Sequence, residues 1–203
     1  MKKLKILSVL TIIAAVFLSL CSCGGKAPAL DDIKDELVSV IDKSAEVNLV
    51  LFGDGVPVYS RDDEENYNIY NGMIEGLSSY ELVRDESPYQ TTEELKKLAE
   101  SVYAPDYIDP ISEMLFVGYA DEDVGVTAAK FYEWDGRLYR NMNFKNYVTS
   151  VRTFDYDTMK IVKPSKAKYI NVSLESTLDG EKSTVTLAFI LTADGWRLDT
   201  PTY

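Results

Sequence analysis

Apolar positions change their period along this chain, and each change marks an element. After an apolar run from Ile6 to Leu20, residues Leu30, Ile33, Leu37, Val40, Ile41, Ala45 and Asn48 to Leu51 recur at helical spacing, with Asp31 and Asp32 in the first turn. This predicts one long helix ending at Gly53. Gly55 to Tyr59 reads as a short strand and Arg61 to Asn66 as a solvated loop, while Tyr67 to Gly76 fits no period. Ser79 to Arg84 reads as a strand. Thr91-Thr92-Glu93-Glu94 then opens a helix with the spacing of a capping box, and Leu95, Leu98 and Val102 form its buried stripe. Pro105 and Pro110 bracket a second short helix through Phe116, because proline is tolerated in a first turn and breaks interiors. Gly118 to Gly125 reads as an acidic loop.

Beyond that point the period becomes two. Thr127 to Trp134 and Arg137 to Asn141 flank Asp135-Gly136, and Lys166 to Leu178 and Lys182 to Thr192 flank Asp179-Gly180. Asp-Gly supplies the positive φ that a tight hairpin turn requires. Asp194-Gly195 turns the chain once more into Trp196 to Asp199, with Trp196 and Leu198 inward and Arg197 and Asp199 outward. Ile170, Val172 and Leu174 share one face, as do Val185, Leu187, Phe189 and Leu191, so one side of the meander needs a cover. The early helices supply it, and the expected fold is α+β, with N-terminal helices packed on a curved antiparallel sheet. That layout resembles the cystatin-like or NTF2-like arrangement, which hosts enzymes, binders and inhibitors alike.

The beginning of the chain has another use. Lys2, Lys3 and Lys5 precede the apolar run, which at about 22 Å is short for a bilayer core, so it reads as an export signal and not a retained span. Leu20-Cys21-Ser22-Cys23 looks like the lipobox of bacterial lipoproteins, which implies removal of residues 1–22 and a diacylglyceryl thioether on Cys23. Residues 23–29 are then a lipid-anchored tether and 30–203 a single α+β domain, held outside the membrane by the lipid. Cys21 leaves with the leader, so no disulfide is available to the body of the protein.

Charge and composition narrow the chemistry. With Lys2, Lys3 and Lys5 gone, 18 basic residues face 33 acidic ones, a net charge of −15. That excludes a nucleic-acid surface and opposes flat docking on an anionic bilayer. The chain has no histidine, so Ser-His-Asp, Cys-His and His-based zinc sites fall away. No cofactor or metal is expected, since Asp121-Glu122-Asp123 and Asp155-Tyr156-Asp157 lack the alternating ligands of a calcium loop.

Two groups of residues remain as candidates for binding. The acidic ones are Asp62, Asp63, Glu64 and Glu65 with Asp121, Glu122 and Asp123, which form a protein-binding rim if the two segments converge and serve solubility if they do not. The aromatic ones are Tyr132, Trp134 and Tyr139 on facing strands of one hairpin, in a chain with 14 tyrosines and 2 tryptophans. They form either a cross-strand pair that steadies the sheet or a platform for a sugar or peptide.

Tyr80-Glu81-Leu82-Val83, the helix from Thr91 to Leu98 running on to Val102-Tyr103, Asp135 to Tyr139, and Asp194 to Leu198 together resemble the secreted inhibitors of DL-endopeptidases, the IseA-like family, over roughly residues 79 to 199. The resemblance implies a non-enzymatic protein whose acidic surface docks on the basic catalytic cleft of a cell-wall peptidoglycan endopeptidase. The lipid anchor and the long first helix depart from that pattern. Two other functions stand beside this one: a small-ligand receptor with a pocket between helices and sheet, and a carboxylate-dependent hydrolase.

Overall fold

The computed structural model describes residues 25–59, 79–121 and 125–203. Helix α1 (Leu30–Phe52) runs 23 residues, or about 34 Å. Its buried face is Leu37, Val40, Ile41, Ser44, Val47, Asn48, Leu51 and Phe52, so two polar residues lie within the stripe. The helix stops at Gly53, whose N–H reaches the carbonyls of Asn48 and Leu49 at 3.0 and 3.2 Å. A side chain there would meet the Leu49 and Val148 carbonyl oxygens at 2.8 and 2.9 Å, so close backbone approach requires the glycine.

Strand β1 (Tyr80–Leu82) follows, and of the expected Gly55 to Tyr59 strand only Val58 pairs, through a single bridge to Val83. Helix α2 (Thr92–Glu100) carries the capping box. Thr91 Oγ1 accepts from the Glu94 N–H at 3.2 Å, and the Glu94 carboxylate accepts from the N–H groups of Gln90 and Thr91 at 2.7 and 3.0 Å. Those donors hold the Glu94 carboxyl below its usual range. Helix α3 (Pro105–Phe116) begins with proline at its first position and passes straight through Pro110. The expectation that Pro110 bounds a helix is therefore corrected. Its ring lies on the exposed side, where loss of one backbone donor is compensated by eleven other helical residues and by the buried Ile108 and Leu115.

Strands β2 (Tyr119–Asp121) and β3 (Gly125–Thr127) pair antiparallel, which corrects the expected acidic loop over Gly118 to Gly125. A three-residue ladder needs backbone hydrogen bonds and no apolar face. Strands β4 (Phe131–Trp134) and β5 (Arg137–Asn141) form the expected hairpin and join β1 in the order β1-β5-β4. Asp135 and Gly136 both adopt positive φ, 51° and 70°, as do Asp179 and Gly180 at 52° and 84°.

The second sheet has the order β6-β7-β8-β9, from β6 (Thr153–Lys166), β7 (Tyr169–Leu178), β8 (Glu181–Thr192) and β9 (Gly195–Leu198). Neither sheet is strongly curled. The curvature expected from sequence is absent where β7 and β8 pair over ten consecutive positions without a bulge to bend them. The chain is an α+β assembly of three helices and two antiparallel sheets plus the β2–β3 hairpin, among the described residues.

The core is the seam between α1 and the inner face of the larger sheet. Leu37, Ile41, Val47 and Leu51 join Ile170, Val172, Leu174, Leu187, Phe189, Trp196 and Leu198 in one cluster, and α2 and α3 add Leu95, Val102, Tyr103, Ile108 and Leu115. Trp196 and Leu198 point inward as expected. The Trp196 N–H donates to Glu36 Oε1 of α1 at 2.8 Å, which ties helix to strand by a charge-assisted bond. Gly195, at φ 103°, lies so close to Glu36 that any side chain would displace the carboxylate. Gly195→Ala is expected to lower stability by about 1 to 3 kcal/mol, combining left-handed strain with loss of the Glu36 contact. Urea denaturation of wild type and variant measures it, and Glu36→Gln separates the two contributions.

Candidate functional site

Strand alternation fixes which hairpin side chains share a face. Tyr132 pairs directly with Tyr139, and Trp134 with Arg137, so the three candidate aromatics lie on one side of the β4–β5 hairpin. Tyr139 is buried beside Tyr80 and Leu82 in a small separate cluster. Tyr132 meets the Tyr80 ring edge-on at 5.9 Å between centroids. Exposure separates the roles: Tyr139 keeps 3% of its surface, Tyr132 38% and Trp134 42%. Tyr139 therefore packs the sheet, while Tyr132 and Trp134 present aromatic surface along β4, an edge strand. Glu133 between them turns to the other face and accepts from both the N–H and the Oγ1 of Thr92 at 3.1 Å, adding an anion to the start of α2.

The acidic candidates are dispersed or undescribed. Asp62, Asp63, Glu64, Glu65, Glu122 and Asp123 lie outside the described residues, and Asp121 ends β2. Asp155 and Asp157 are on β6, an outer strand, where Asp155 Oδ1 accepts the Asp157 N–H and Asp157 sits 3.9 Å from Lys34. Among the described residues no group of three acids, cysteines or histidines is placed to hold a metal, and no helix is long and apolar enough to cross a membrane.

Two features were invisible in the sequence. The first is Lys130, the residue before β4, of which 1% remains exposed. Its Nζ donates to the carbonyls of Leu51 and Gly53 at 3.0 and 2.6 Å, so a lysine from elsewhere in the chain closes the C-terminus of α1, whose own last turn holds no base. The rings of Phe131 and Phe144 lie 5.6 and 5.7 Å from the nitrogen. Burial, then repulsion from Arg140, lower its pKa to about 7 against the opposing pull of Asp54. Between neighbours Ala129 and Phe131 in an apparent strand, nothing distinguishes it from a solvated lysine.

The second is a buried polar chain across the domain. The Ser44 and Thr202 hydroxyls lie 2.7 Å apart, Asn48 Nδ2 donates to Thr202 Oγ1 at 2.7 Å, and the Tyr103 hydroxyl donates to Asn48 Oδ1 at 2.5 Å. Burial pushes the Tyr103 hydroxyl pKa well up. Every member is partnered, so the network positions the C-terminal segment without leaving an orphan. Beside that segment lies an open hollow of about 340 Å³, lined by Arg152, Val185, Leu187, Thr200, Pro201 and Tyr203 among others. Arg152 Nη1 donates to Ser176 Oγ at 3.0 Å and reaches Ser183 Oγ at 3.5 Å, and among the described residues no carboxylate pairs with it.

Compared with known proteins, the chain matches no family model and no curated protein. Lys130 couples the stability of the fold to pH. Between about pH 7 and 10.5 the folded chain binds fewer protons at this amine than the unfolded chain does, so Lys130 makes stability rise with pH across that window. The slope it contributes is at most about 1.4 kcal/mol per pH unit. Urea midpoints at pH 6, 7.5 and 9 (roughly, within the lysine range) are expected to climb for wild type and to climb less for Lys130→Met.

Proposed function

We propose that this chain is a non-enzymatic, lipid-anchored binding module of the cell envelope, held outside the membrane through Cys23, and that the β4 edge is its engaging surface. The observation that carries the proposal is the exposure of Trp134 and Tyr132 side by side on an edge strand, while the other tryptophan, Trp196, is buried in the core. Large, stiff aromatic side chains on a strand that is an edge among the described residues favour recognition of an extended partner segment or a sugar face, at low entropic cost. The absence of histidine from the whole chain supports a binder over the common hydrolytic machineries.

The partner proposed is a cell-wall peptidoglycan endopeptidase with a basic cleft. A processed chain of net charge −15 attracts such a cleft over long range, which speeds encounter and makes affinity fall with salt. A second reading, a receptor for a small ligand, is favoured by the hollow beside Arg152. Its place would be the C-terminal side of the sheet, because the space between α1 and the sheet is filled by apolar side chains.

Titrating the purified protein into a cell-wall extract is expected to lower peptidoglycan endopeptidase activity at low salt, with the effect fading as salt rises. Trp134→Ala and Tyr132→Ala should each weaken it tenfold or more, roughly the scale of an interface hot spot, with Trp134→Ala shifting stability by less than about 1 kcal/mol and Tyr132→Ala, which also loses the Tyr80 ring contact, by about 1 to 2 kcal/mol. Undiminished endopeptidase activity at saturating protein and low salt contradicts the proposal.

A further inference from the structure

The tether is fastened to the domain. The carbonyl of Gly25 accepts from the Ala167 N–H at 3.0 Å, and Ala27 packs against the main core. Ala167 lies in the turn between β6 and β7, so the chain reaches that turn within two residues of Cys23. Two or three extended residues span roughly 7 to 10 Å. An acylated Cys23 in the bilayer surface therefore brings the β6–β7 turn to the headgroups.

The composition of the last part of β6 and the turn after it is opposite in sign to the rest of the chain. The ten residues from Lys160 to Tyr169 hold four lysines, Lys160, Lys163, Lys166 and Lys168, and no acid, in a protein of net charge −12. All four are exposed, as is Lys26 next to Gly25. Among the described residues none of these five lies within 4 Å of a carboxylate, the lysine and arginine ion pairs being those of Lys34, Arg84 and Lys97. Tyr169 closes the segment with 37% of its surface exposed, an amphipathic ring of the kind that sits at a membrane interface. The neighbouring elements carry Asp31, Asp32, Asp35, Glu36, Asp42 and Glu46 on α1, Glu175 on β7, Glu181 on β8 and Asp194 between β8 and β9. Of the acids of β6, Asp155 stands before the irregularity that separates it from Lys160, and Asp157 lies within it.

We infer that Lys26, Lys168 in the β6–β7 turn and the lysines at the end of β6 form a membrane-docking face for anionic lipid headgroups, which orients the domain on the bilayer to which its lipid attaches it. The inference rests on acylation of Cys23 for its geometry, and it replaces the expectation from net charge that the lipid alone holds the protein to the membrane. Clustered lysines beside an acyl chain act as the second attachment signal, and their attraction falls off within a Debye length, so acids farther around the surface weaken it little. The docking face and the β4 edge are fixed to opposite ends of α1. The tether enters at Leu30, whereas Lys130 joins the start of β4 to Leu51 and Gly53, about 30 Å along the helix.

The test uses the full chain purified from membranes and reconstituted in vesicles of phosphatidylcholine alone or mixed with phosphatidylglycerol, with lysine acylation by an amine reagent read by mass spectrometry. Lys26, Lys163, Lys166 and Lys168 are expected to react several-fold more slowly in the anionic vesicles, with Lys43 and Lys97 unchanged and the protection lost in high salt. Equal reactivity of the two sets in anionic vesicles overturns the inference. Cys23→Ser protein, which carries no lipid, is expected to sediment with anionic vesicles about tenfold more than with neutral ones, and to lose that preference with Lys163→Glu, Lys166→Glu and Lys168→Glu combined. No preference before those changes also overturns it. The intact mass of the native protein reports separately on Cys23: a bare thiol defeats the anchoring proposal, while the Cys23→Ser sedimentation still decides on the lysines.

Discussion

Burial of one face of α1 against the inner face of the β6–β9 sheet is the interaction on which the rest of the molecule depends. Leu37, Ile41, Val47 and Leu51 on the helix, and Ile170, Val172, Leu174, Leu187 and Phe189 on the strands, are all at most 3% exposed. Burying side chains of this size contributes about 1.5 to 3 kcal/mol each before entropy is counted, and no cysteine remains in the body of the chain to add a covalent constraint. Polar groups within the seam are directional. Ser44 and Asn48 hold Thr202, and Glu36 holds Trp196, so the helix sits in one register on the sheet and not merely on an apolar surface.

From that register follows the placement of everything proposed to meet another molecule. The N-terminal end of α1 receives the tether and, through Gly25, the lysine-bearing turn. The C-terminal end receives Lys130, and with it the hairpin that carries Tyr132 and Trp134. A helix of 23 residues thus separates the end proposed for the bilayer from the end proposed for a partner. The buried lysine is costly as a charge and useful as a donor. Its Nζ donates to the carbonyls of Leu51 and Gly53 and reaches Asn146 Oδ1 at 3.5 Å, while burial lowers its pKa to about 7.

The elements that were legible in the sequence are those whose signal is local. Asp135-Gly136 and Asp179-Gly180 announce their turns by residue type, and Thr91 with Glu94 announces a helix start, because each device acts within four residues. Strand β6 is not legible in the sequence, although it is the longest strand among the described residues. Phe154 and Tyr156 lie partly buried at even positions, and Met159 and Ile161 at odd ones, since the irregularity between Asp155 and Lys160 shifts the alternation. A period-two search fails across such a break, and Pro164 argues further against a strand unless the strand is an edge, as this one is. Tyr139 and Tyr132 look equivalent along the chain, yet only the third strand, β1, decides which is covered. Lys130 and Arg152 acquire their roles from partners far away in sequence, and no pattern along the chain marks them.

Native-state hydrogen exchange tests the α1–sheet seam most directly. Amides of α1 from Leu37 to Leu51, and the Trp196 N–H that Glu36 accepts, should exchange only through global unfolding, with the same protection as the central amides of β7 and β8. Exchange of the α1 amides orders of magnitude faster than those of β7 and β8 would show that the helix detaches on its own, and the seam would no longer account for the fold or for the placement of its two ends.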